Sequence, residues 1–244
     1  MTTLFIADCH LSSKRPQIVE LFCNFLDNQA QAAQQLYILG DLFDQWLGDD
    51  DPATGLEPVF VALQKYAHDK PVYFMHGNHD FLIGEEFSQR THCRFAGDNP
   101  AQDAVVVDIE GCTTLLMHGD QLCTDDVAYQ RYRTVVRNRT IQKLWKTMPL
   151  RWRQSFVKRL ISTSDNATAK KAEAIMDVNL GTVEATMRQY CVQRLIHGHV
   201  HRPAIHDFVL DGKAAQRLVL GDWYTQGSVL EVTSNDATLH QLAY

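Results

Sequence analysis

Five short runs of β-strand character in this chain each lead directly into side chains that bind metal ions in proteins. Because the carboxyl ends of parallel strands meet at one edge of a sheet, ligands from distant parts of a chain converge there. The pattern therefore predicts an α/β protein with a polynuclear metal site. The five segments are Asp8-Cys9-His10, Gly40-Asp41, Gly77-Asn78-His79-Asp80, His118-Gly119-Asp120 and Gly198-His199-Val200-His201.

The ligand types restrict the metal. Carboxylate, imidazole and asparagine amide groups together suit Mn²⁺, Fe²⁺ or Zn²⁺ better than Ca²⁺ or a thiolate-bound zinc. A carboxylate can bridge two cations, so Asp41 is the natural shared ligand of two ions about 3.5–4 Å apart. Such a pair activates water and stabilises phosphoryl oxygens, which indicates phosphoryl hydrolysis.

Each motif taken alone has an ordinary structural explanation. Asp8 could cap a helix and Gly40-Asp41 could form a turn, whereas the joint occurrence of five motifs favours the metal centre. For Asp8 and His10 to bind one ion, the chain must turn between them, and the Gly-His-x-His motif repeats this arrangement. His76 and His197 end apolar runs, and we expect them to be hydrogen-bonded structural histidines.

Composition is that of a globular enzyme. The 244 residues, 45% of them hydrophobic, fit one large domain or a domain with an insertion. The N-terminus lacks a basic segment followed by an apolar one, and no apolar run approaches 18 residues, so neither secretion nor a membrane span is expected. Six cysteines without a Cys-x-x-Cys pair predict reduced thiols in the cytoplasm.

Charge divides the chain into two unlike parts. Residues 131–171 contain twelve Lys or Arg and one acidic residue, although the net charge of the whole chain is −6. This stretch also lacks strand character and is interleaved with Trp145, Leu150, Trp152 and Phe156. We therefore predict that residues 122–190 form a helical cap inserted into a core of residues 1–121 and 191–244.

Alternating β and α patterns in the first half predict parallel strands, and hairpin patterns in the second half predict antiparallel ones. A two-sheet α/β sandwich flanked by helices accommodates both. Helices are predicted near 16–30, 56–69 and 83–91. Strands are predicted near 3–7, 36–39, 72–76, 93–96, 104–109, 113–117, 194–197, 204–210, 216–220, 227–232 and 237–242.

The five motifs resemble the signature of the calcineurin-like binuclear metallophosphoesterases, which reads Asp-x-His, Gly-Asp-x-x-Asp, Gly-Asn-His-Asp, His and Gly-His-x-His. Within that superfamily, the chain is similar over nearly its whole length to the UDP-2,3-diacylglucosamine hydrolase family of the lipid A pathway. The segments that carry this closer resemblance are residues 37–44, 46–52, 117–126, 174–179, 195–203 and 219–223.

The resemblance implies that this chain uses two Mn²⁺ ions to cleave UDP-2,3-diacylglucosamine into UMP and 2,3-diacylglucosamine 1-phosphate. It implies that Asp8, His10, Asp41 and His201 hold one ion, and that Asp41, Asn78, His118 and His199 hold the other. His79, Asn78 and His199 are the implied catalytic residues. The implied substrate contacts are Asn78, His79, Asp126, Ser164, Thr168, Lys171 and His199.

Two positions depart from the resembled family. His79 stands where that family has an arginine, and Thr168 stands where it has an asparagine. An arginine binds phosphate through two parallel hydrogen bonds, whereas a histidine is shorter and carries full charge only when protonated. The departures bear on the identity of the substrate more than on the type of reaction.

The basic and aromatic insertion predicts a lipid substrate and an anionic membrane surface as partners. The expected location is therefore the cytoplasmic face of the inner membrane, as a peripheral protein. The acidic remainder of the chain argues against nucleic acid, and no obligate protein partner is expected. The alternative for the insertion is an amphipathic cap with a solvated basic face. The alternatives for the function are a phosphoesterase for another substrate and a scaffold without activity.

Overall fold

Two β-sheets pack face to face and form the centre of the fold. The structure is a computed structural model that describes residues 2–168 and 177–243, and in residues 160–168 it describes the backbone alone. The strands are β1 (Thr2–Ile6), β2 (Gln35–Leu39), β3 (Val72–Met75), β4 (Arg94–Phe95), β5 (Ala104–Ile109), β6 (Cys112–Met117), β7 (Arg194–His197), β8 (Ala204–Leu210), β9 (Lys213–Val219), β10 (Gly227–Thr233) and β11 (Ala237–Leu242).

The helices alternate with strands in the first half of the chain and cluster in the middle. They are α1 (Pro16–Asp27), α2 (Glu57–Asp69), α3 (Glu85–Thr91), α4 (Val127–Val136), α5 (Arg139–Thr147), α6 (Leu150–Thr168) and α7 (Leu180–Gln189). Helix α1 ends at Asp27, three residues earlier than predicted, and a 3₁₀ turn over Gln29–Ala32 follows it. No helix in the described part of the chain combines the length and apolar character needed to cross a bilayer.

The first sheet has the strand order β11-β10-β1-β2-β3-β4, and β1 to β4 are parallel. The second has the order β5-β6-β7-β9-β8. Its hairpins are antiparallel as predicted, and Asp211 and Gly212 form the β8–β9 turn with positive φ. However, β6, β7 and β9 are parallel to one another, because the long segment between β6 and β7 serves as a crossover.

Three layers of apolar side chains surround the sheets. Alternate residues of the strands point between the two sheets, where Phe5 and Tyr37 of the first face Leu116 and Ile196 of the second. The other face of the first sheet is covered by α1, α2 and α3. The predicted two-sheet sandwich flanked by helices is confirmed.

The predicted cap region divides into two parts by its packing. Val183 and Met187 of α7 are buried with Leu115 and Leu195 on the outer face of the second sheet, so α7 packs as part of the core. Helices α4 and α5 contain no buried residue. Residues 127–147, which contain these two helices, therefore have the cap-like packing, and the boundaries at 122 and 190 stay predictions.

Three basic residues of the insertion point inward, where they fix the helices to the core. Arg133 forms ion pairs with Asp103 and Asp120, both at 2.7 Å. Arg137 donates a hydrogen bond to the carbonyl oxygen of Gly77 at 2.9 Å. The insertion is thus not a uniformly exposed basic surface.

Arg153 of α6 is the most deeply buried of the three, with no exposed surface. Its guanidinium donates to the carbonyl oxygens of Leu47 (2.6 Å) and Met148 (3.0 Å) and to the Asp50 carboxylate. Arg153 therefore joins α6 to the loop after β2, and a substitution there would not report on membrane binding.

We expect Arg153→Met to lower the free energy of unfolding by roughly 2–4 kcal/mol, because the carbonyl oxygens it binds lose a charged donor. Urea unfolding followed by circular dichroism measures this. The matched control is Arg151→Met, whose side chain is exposed two residues earlier, with an expected change within about 0.5 kcal/mol. Equal, small losses in both variants would contradict the anchoring role.

Candidate metal centre

Five strand ends bring seven of the predicted ligands together. Strand β1 leads to Asp8 and His10, β2 to Asp41, β3 to Asn78, β6 to His118, and β7 to His199 and His201. Asp41 Oδ2 lies at the middle, 3.9 Å from His10 Nε2 and 3.5 Å from His118 Nε2. On one side, Asp8 Oδ1 lies 3.4 Å from His201 Nε2. On the other, the ring centroids of His118 and His199 are 5.1 Å apart.

The backbone at these strand ends adopts a conformation that costs free energy. Five of the seven residues have positive φ although none is glycine, a combination that costs about 1–3 kcal/mol per residue and clusters at functional sites. The expected turn between Asp8 and His10 results from this conformation. The φ values are 54° for Asp8, 45° for His10, 52° for Asp41, 71° for His199 and 54° for His201.

Each of the two aspartates uses one carboxylate oxygen to hold another loop and turns the second toward the centre. Asp41 Oδ1 accepts a hydrogen bond from the backbone N–H of His79 at 2.7 Å. Asp8 Oδ2 accepts one from the backbone N–H of His199 at 2.8 Å. The remaining oxygens, Asp41 Oδ2 and Asp8 Oδ1, face the histidines, so the ligand positions are fixed in advance of any ion.

Glycine is required where the loops cross. A Cβ atom on Gly77 would lie 2.1 Å from Asp41 Oδ1, and one on Gly198 would lie 2.4 Å from Asp8 Oδ2. The glycines of the Gly-Asn and Gly-His motifs therefore allow the two carboxylates to approach the backbone closely.

Asp80 completes this network, a role that the sequence did not reveal. It is fully buried, and its two oxygens accept hydrogen bonds from the backbone N–H groups of Gly77 and Leu42, both at 2.8 Å. Burial, together with the nearby Asp41, raises the pKa of Asp80 to about 7. Both oxygens are occupied by the backbone, so Asp80 holds the loops together rather than binding an ion.

The buried His118 is held so that one ring nitrogen faces the centre. The Nδ1–H of His118 donates to the carbonyl oxygen of Leu39 at 2.9 Å, and its Nε2 lies 3.0 Å from Asn78 Oδ1. Burial lowers the pKa of His118, but Asp41 and Asp8 raise it by more, to about 8. A nitrogen lone pair beside an amide oxygen suits a shared cation or a proton.

Several buried polar atoms here match what a metal ion requires. Asp8 Oδ1 and both ring nitrogens of His10 are buried and have no hydrogen-bond partner among the described residues. Burial lowers the pKa of His10 to about 4, so its ring is neutral, the form that binds metals. Ligand atoms within 4.8 Å of one another form three groups, namely Asp8 with His10 and His201, Asp8 with Asp41 and His118, and His10 with Asp41 and His79. Asp8, His10 and Asp41 each belong to two of these groups, so the three groups form one continuous cluster of donors.

A model of the calcineurin-like phosphoesterase family matches residues 1–203 of this chain. The chain belongs to that family. Its fold is the one that the resemblance implied, and the binuclear metal centre follows from the family and from the donor groups present.

Relatives within the family match the chain from end to end. A protein of Xanthomonas axonopodis pv. citri named UDP-2,3-diacylglucosamine hydrolase is 49% identical, with 100% of both chains covered. A protein of the same name from Proteus mirabilis is 46% identical, again with 100% of both covered. The crystal structure of a dimetal phosphatase from Danio rerio superposes with a TM-score of 0.53 at 13% identity, covering 100% of this chain and 96% of that one. This last similarity concerns the fold alone.

His79 lies at the edge of the centre. Its side chain is 40% exposed, its Nδ1–H donates to the carbonyl oxygen of Asp44 at 2.8 Å, and its Nε2 lies 4.0 Å from Asp41 Oδ2. Burial lowers the pKa of His79, but the Asp41 carboxylate and the Asp44 carbonyl raise it by more, so the net shift is upward. The ring is thus directed toward the centre.

Of the predicted substrate contacts outside the centre, the structure describes the side chain of Asp126 alone. Asp126 is buried at the start of α4, where its carboxylate caps the helix by accepting from the N–H of Tyr129 at 3.0 Å. Ser164 and Thr168 lie in α6 at positions whose side chains are outside the description, and Lys171 lies outside the described residues. These three contacts stay predictions.

Two further histidines are structural, as expected. The buried His76 donates to the carbonyl oxygen of Ile83, and the buried His197 to that of Gly198, both at 2.8 Å. All six cysteines are unpaired, and none belongs to a ligand group within the described part of the chain.

Sequence reasoning assigned no role to the loop after β9, which also reaches the centre. Asp222 Oδ2 lies 3.6 Å from His201 Nδ1, so it is placed to orient that ring. The ring of Tyr224 stacks on that of His10, with centroids 5.1 Å apart. The signal was present, because Gly221-Asp222 follows an apolar run in the same way as Gly40-Asp41 does.

We expect Asp41→Asn to lose one of two bound Mn²⁺ ions or both and to abolish hydrolysis, because an amide of the same shape lacks the charge that two cations share. Metal analysis after gel filtration measures the stoichiometry. The control is Asp27→Asn, an exposed aspartate paired only with Lys65, which should keep the wild-type stoichiometry. Two tightly bound ions in the Asp41→Asn protein would show that Asp41 is not the shared ligand.

Proposed function

We propose that this protein hydrolyses the pyrophosphate bond of UDP-2,3-diacylglucosamine in lipid A biosynthesis, with two Mn²⁺ ions. Water adds to the phosphorus next to uridine, and the bond from that phosphorus to the bridging oxygen breaks. The products are UMP and 2,3-diacylglucosamine 1-phosphate. The observation that carries the proposal is end-to-end similarity to two proteins named UDP-2,3-diacylglucosamine hydrolase, insertion included.

The position of Asp41 Oδ2 between His10 and His118 supports two ion positions that share Asp41. Asp8, His10, Asp41 and His201 would hold one ion, and Asp41, Asn78, His118 and His199 would hold the other. When bound, the ions lower the pKa of water and neutralise charge on the phosphate oxygens. Asp8 and Asp41, each anchored through one oxygen to a neighbouring loop, keep the donors in place during the reaction.

His79 and Asn78 are the groups we assign to the substrate phosphates. When protonated, the partly exposed ring of His79 is positioned to donate to a phosphate oxygen as negative charge develops there. The Asp44 carbonyl fixes its other nitrogen, so the direction of the donor is set before substrate binds. Asn78 and His199 line the same centre and complete the proposed set of catalytic residues.

The insertion supplies what the diacyl end of the substrate needs. Its helices expose large apolar side chains, namely Tyr132 (49%), Ile141 (43%), Leu144 (68%), Trp152 (61%) and Phe156 (54%). Exposed basic residues, including Arg151, Lys158 and Arg159, lie on the same helices. Apolar side chains flanked by cations suit acyl chains at an anionic bilayer surface, which supports a peripheral location on the cytoplasmic face of the inner membrane.

Isotope labelling tests this function directly. The protein is incubated with Mn²⁺ and UDP-2,3-diacylglucosamine in H₂¹⁸O, and the products are analysed by mass spectrometry. We expect one ¹⁸O in UMP and none in the sugar phosphate. UDP-glucose and a chromogenic phosphodiester are the comparison substrates, and Mg²⁺ and Zn²⁺ the comparison metals. Faster turnover of either comparison substrate would indicate a phosphoesterase of different specificity.

We expect His79→Ala to reduce kcat/KM on the lipid nucleotide about a hundredfold, the usual effect of removing one donor to a developing charge. His79→Arg should stay within about tenfold of wild type, because a guanidinium supplies the same donor and charge. Steady-state kinetics of the three proteins measures this, with bound metal determined in parallel. An Arg variant as inactive as the Ala variant would mean that His79 is a metal ligand or a specific acid.

We expect the triple variant Arg151→Gln, Lys158→Gln, Arg159→Gln to bind anionic vesicles about a hundredfold more weakly at low salt, since each charge near the surface contributes about 1 kcal/mol. Vesicle sedimentation measures binding. Hydrolysis of a small chromogenic phosphodiester should change little. A control variant with three exposed basic residues of the core neutralised, Lys65, Arg94 and Lys213, should bind as wild type does. Equal losses in the two variants would refute a docking surface on the insertion.

A further inference from the structure

The metal centre is flanked by a tyrosine at each of two ends, and the two tyrosines come from different parts of the chain. At one end the insertion contributes Tyr129, whose ring centroid lies 5.9 Å from that of His199. At the other end the core contributes Tyr224, whose ring lies 5.1 Å from that of His10 and 5.6 Å from that of His201. A substrate that crosses the centre therefore has one end near the insertion and the other near Tyr224.

The Tyr224 end is rigidly built. The neighbouring Trp223 is fully buried against Phe22 and Phe25, and its indole N–H donates to the carbonyl oxygen of Ser228 at 3.1 Å. The backbone N–H of Trp223 donates to the carbonyl oxygen of Asp8, also at 3.1 Å. The loop that carries Tyr224 is thus tied directly to a predicted ligand of the centre.

An arginine accompanies this tyrosine. The guanidinium carbon of Arg15 lies 4.7 Å from the centroid of the Tyr224 ring, and its Nη2–H donates to the carbonyl oxygen of His10. The Tyr224 side chain remains 44% exposed. The result is a fixed aromatic ring with a large accessible surface and a cation beside it.

We infer that Tyr224, with Arg15, forms the subsite for the pyrimidine nucleoside of the substrate. The inference rests on the proposed function, which gives the substrate one diacyl end and one uridine end. Large exposed apolar side chains such as Leu144 and Trp152 lie on the insertion and suit the acyl chains. A planar aromatic ring next to a cation suits a nucleobase and its negatively charged phosphate.

Because the His10 ring stacks on Tyr224 and the Arg15 guanidinium lies over its ring, the base would contact the part of the ring that is left exposed, and Arg15 would add positive charge near the phosphate. Contacts of this kind depend on the aromatic face and edge rather than on the phenol hydroxyl. Tyr224→Phe should therefore keep the subsite, and Tyr224→Ala should remove it. A tyrosine that only supports the His10 ring would affect every ligand of the centre equally.

The test compares two ligands that differ by the base, UMP and ribose 5-phosphate, bound to the Mn²⁺-loaded protein. Isothermal titration calorimetry gives both dissociation constants. We expect wild type and Tyr224→Phe to prefer UMP about tenfold, within the range that aromatic–base contacts contribute. Tyr224→Ala should lose this preference and keep its affinity for ribose 5-phosphate. Tyr190→Ala, which removes an exposed tyrosine at the end of α7, is the matched control and should behave as wild type does.

Three results would overturn the inference. They are a wild-type protein that does not prefer UMP, a Tyr224→Ala protein that keeps the preference, and a Tyr224→Ala protein that loses affinity for both ligands in parallel or loses metal. Trp152→Ala should leave the preference unchanged, and its loss in that variant would place the base at the insertion instead. Product analysis with the lipid nucleotide is independent of these results, so a failed subsite and a failed function are distinguishable.

Discussion

The two oxygen atoms of the Asp8 carboxylate face different groups, and so do those of Asp41. This difference determines how the strand ends are arranged. One oxygen of Asp41 binds the backbone of the loop after β3, and one oxygen of Asp8 binds that of the loop after β7. The first bond joins two loops of the first sheet, the second joins a loop of the first sheet to one of the second, and both leave the other oxygen of each group directed at the centre. Because the bonds go to backbone N–H groups, the geometry is independent of which side chains follow, provided that glycine stands at each crossing.

This arrangement places like charges and strained residues in a buried space. Five non-glycine residues with positive φ, at about 1–3 kcal/mol each, together cost free energy comparable to the whole stability of a typical domain. Burial raises the pKa of Asp8, but His201, His118 and His10 lower it by more, so the carboxylate is ionised without an ion pair to Lys or Arg among the described residues. Divalent cations relieve this charge, so metal binding and folding stability are coupled.

Much of the fold and of the centre could be predicted from the sequence, because both follow from local patterns. Apolar runs locate the strands, and the ligands follow the strands within a few residues. What escaped prediction depends on contacts between distant segments. In the sequence, nothing distinguishes Arg153 from the other basic residues of the insertion. In the structure, it is buried against residues about a hundred positions away. Asp80 and Tyr224 likewise gain their roles only when loops from different strands meet.

The place at which the helical segment enters the fold has an evolutionary consequence. Strands β6 and β7 pair in register as immediate neighbours, although the segment between them is long. The ends of that segment are held by the sheet, and doubling its length costs only about 0.6 kcal/mol of closure entropy. Evolution can therefore lengthen, shorten or replace the part of this stretch that does not pack on the sheet, while strand pairing and metal donors stay as they are. One catalytic scaffold can in this way acquire new substrates by exchanging a single module.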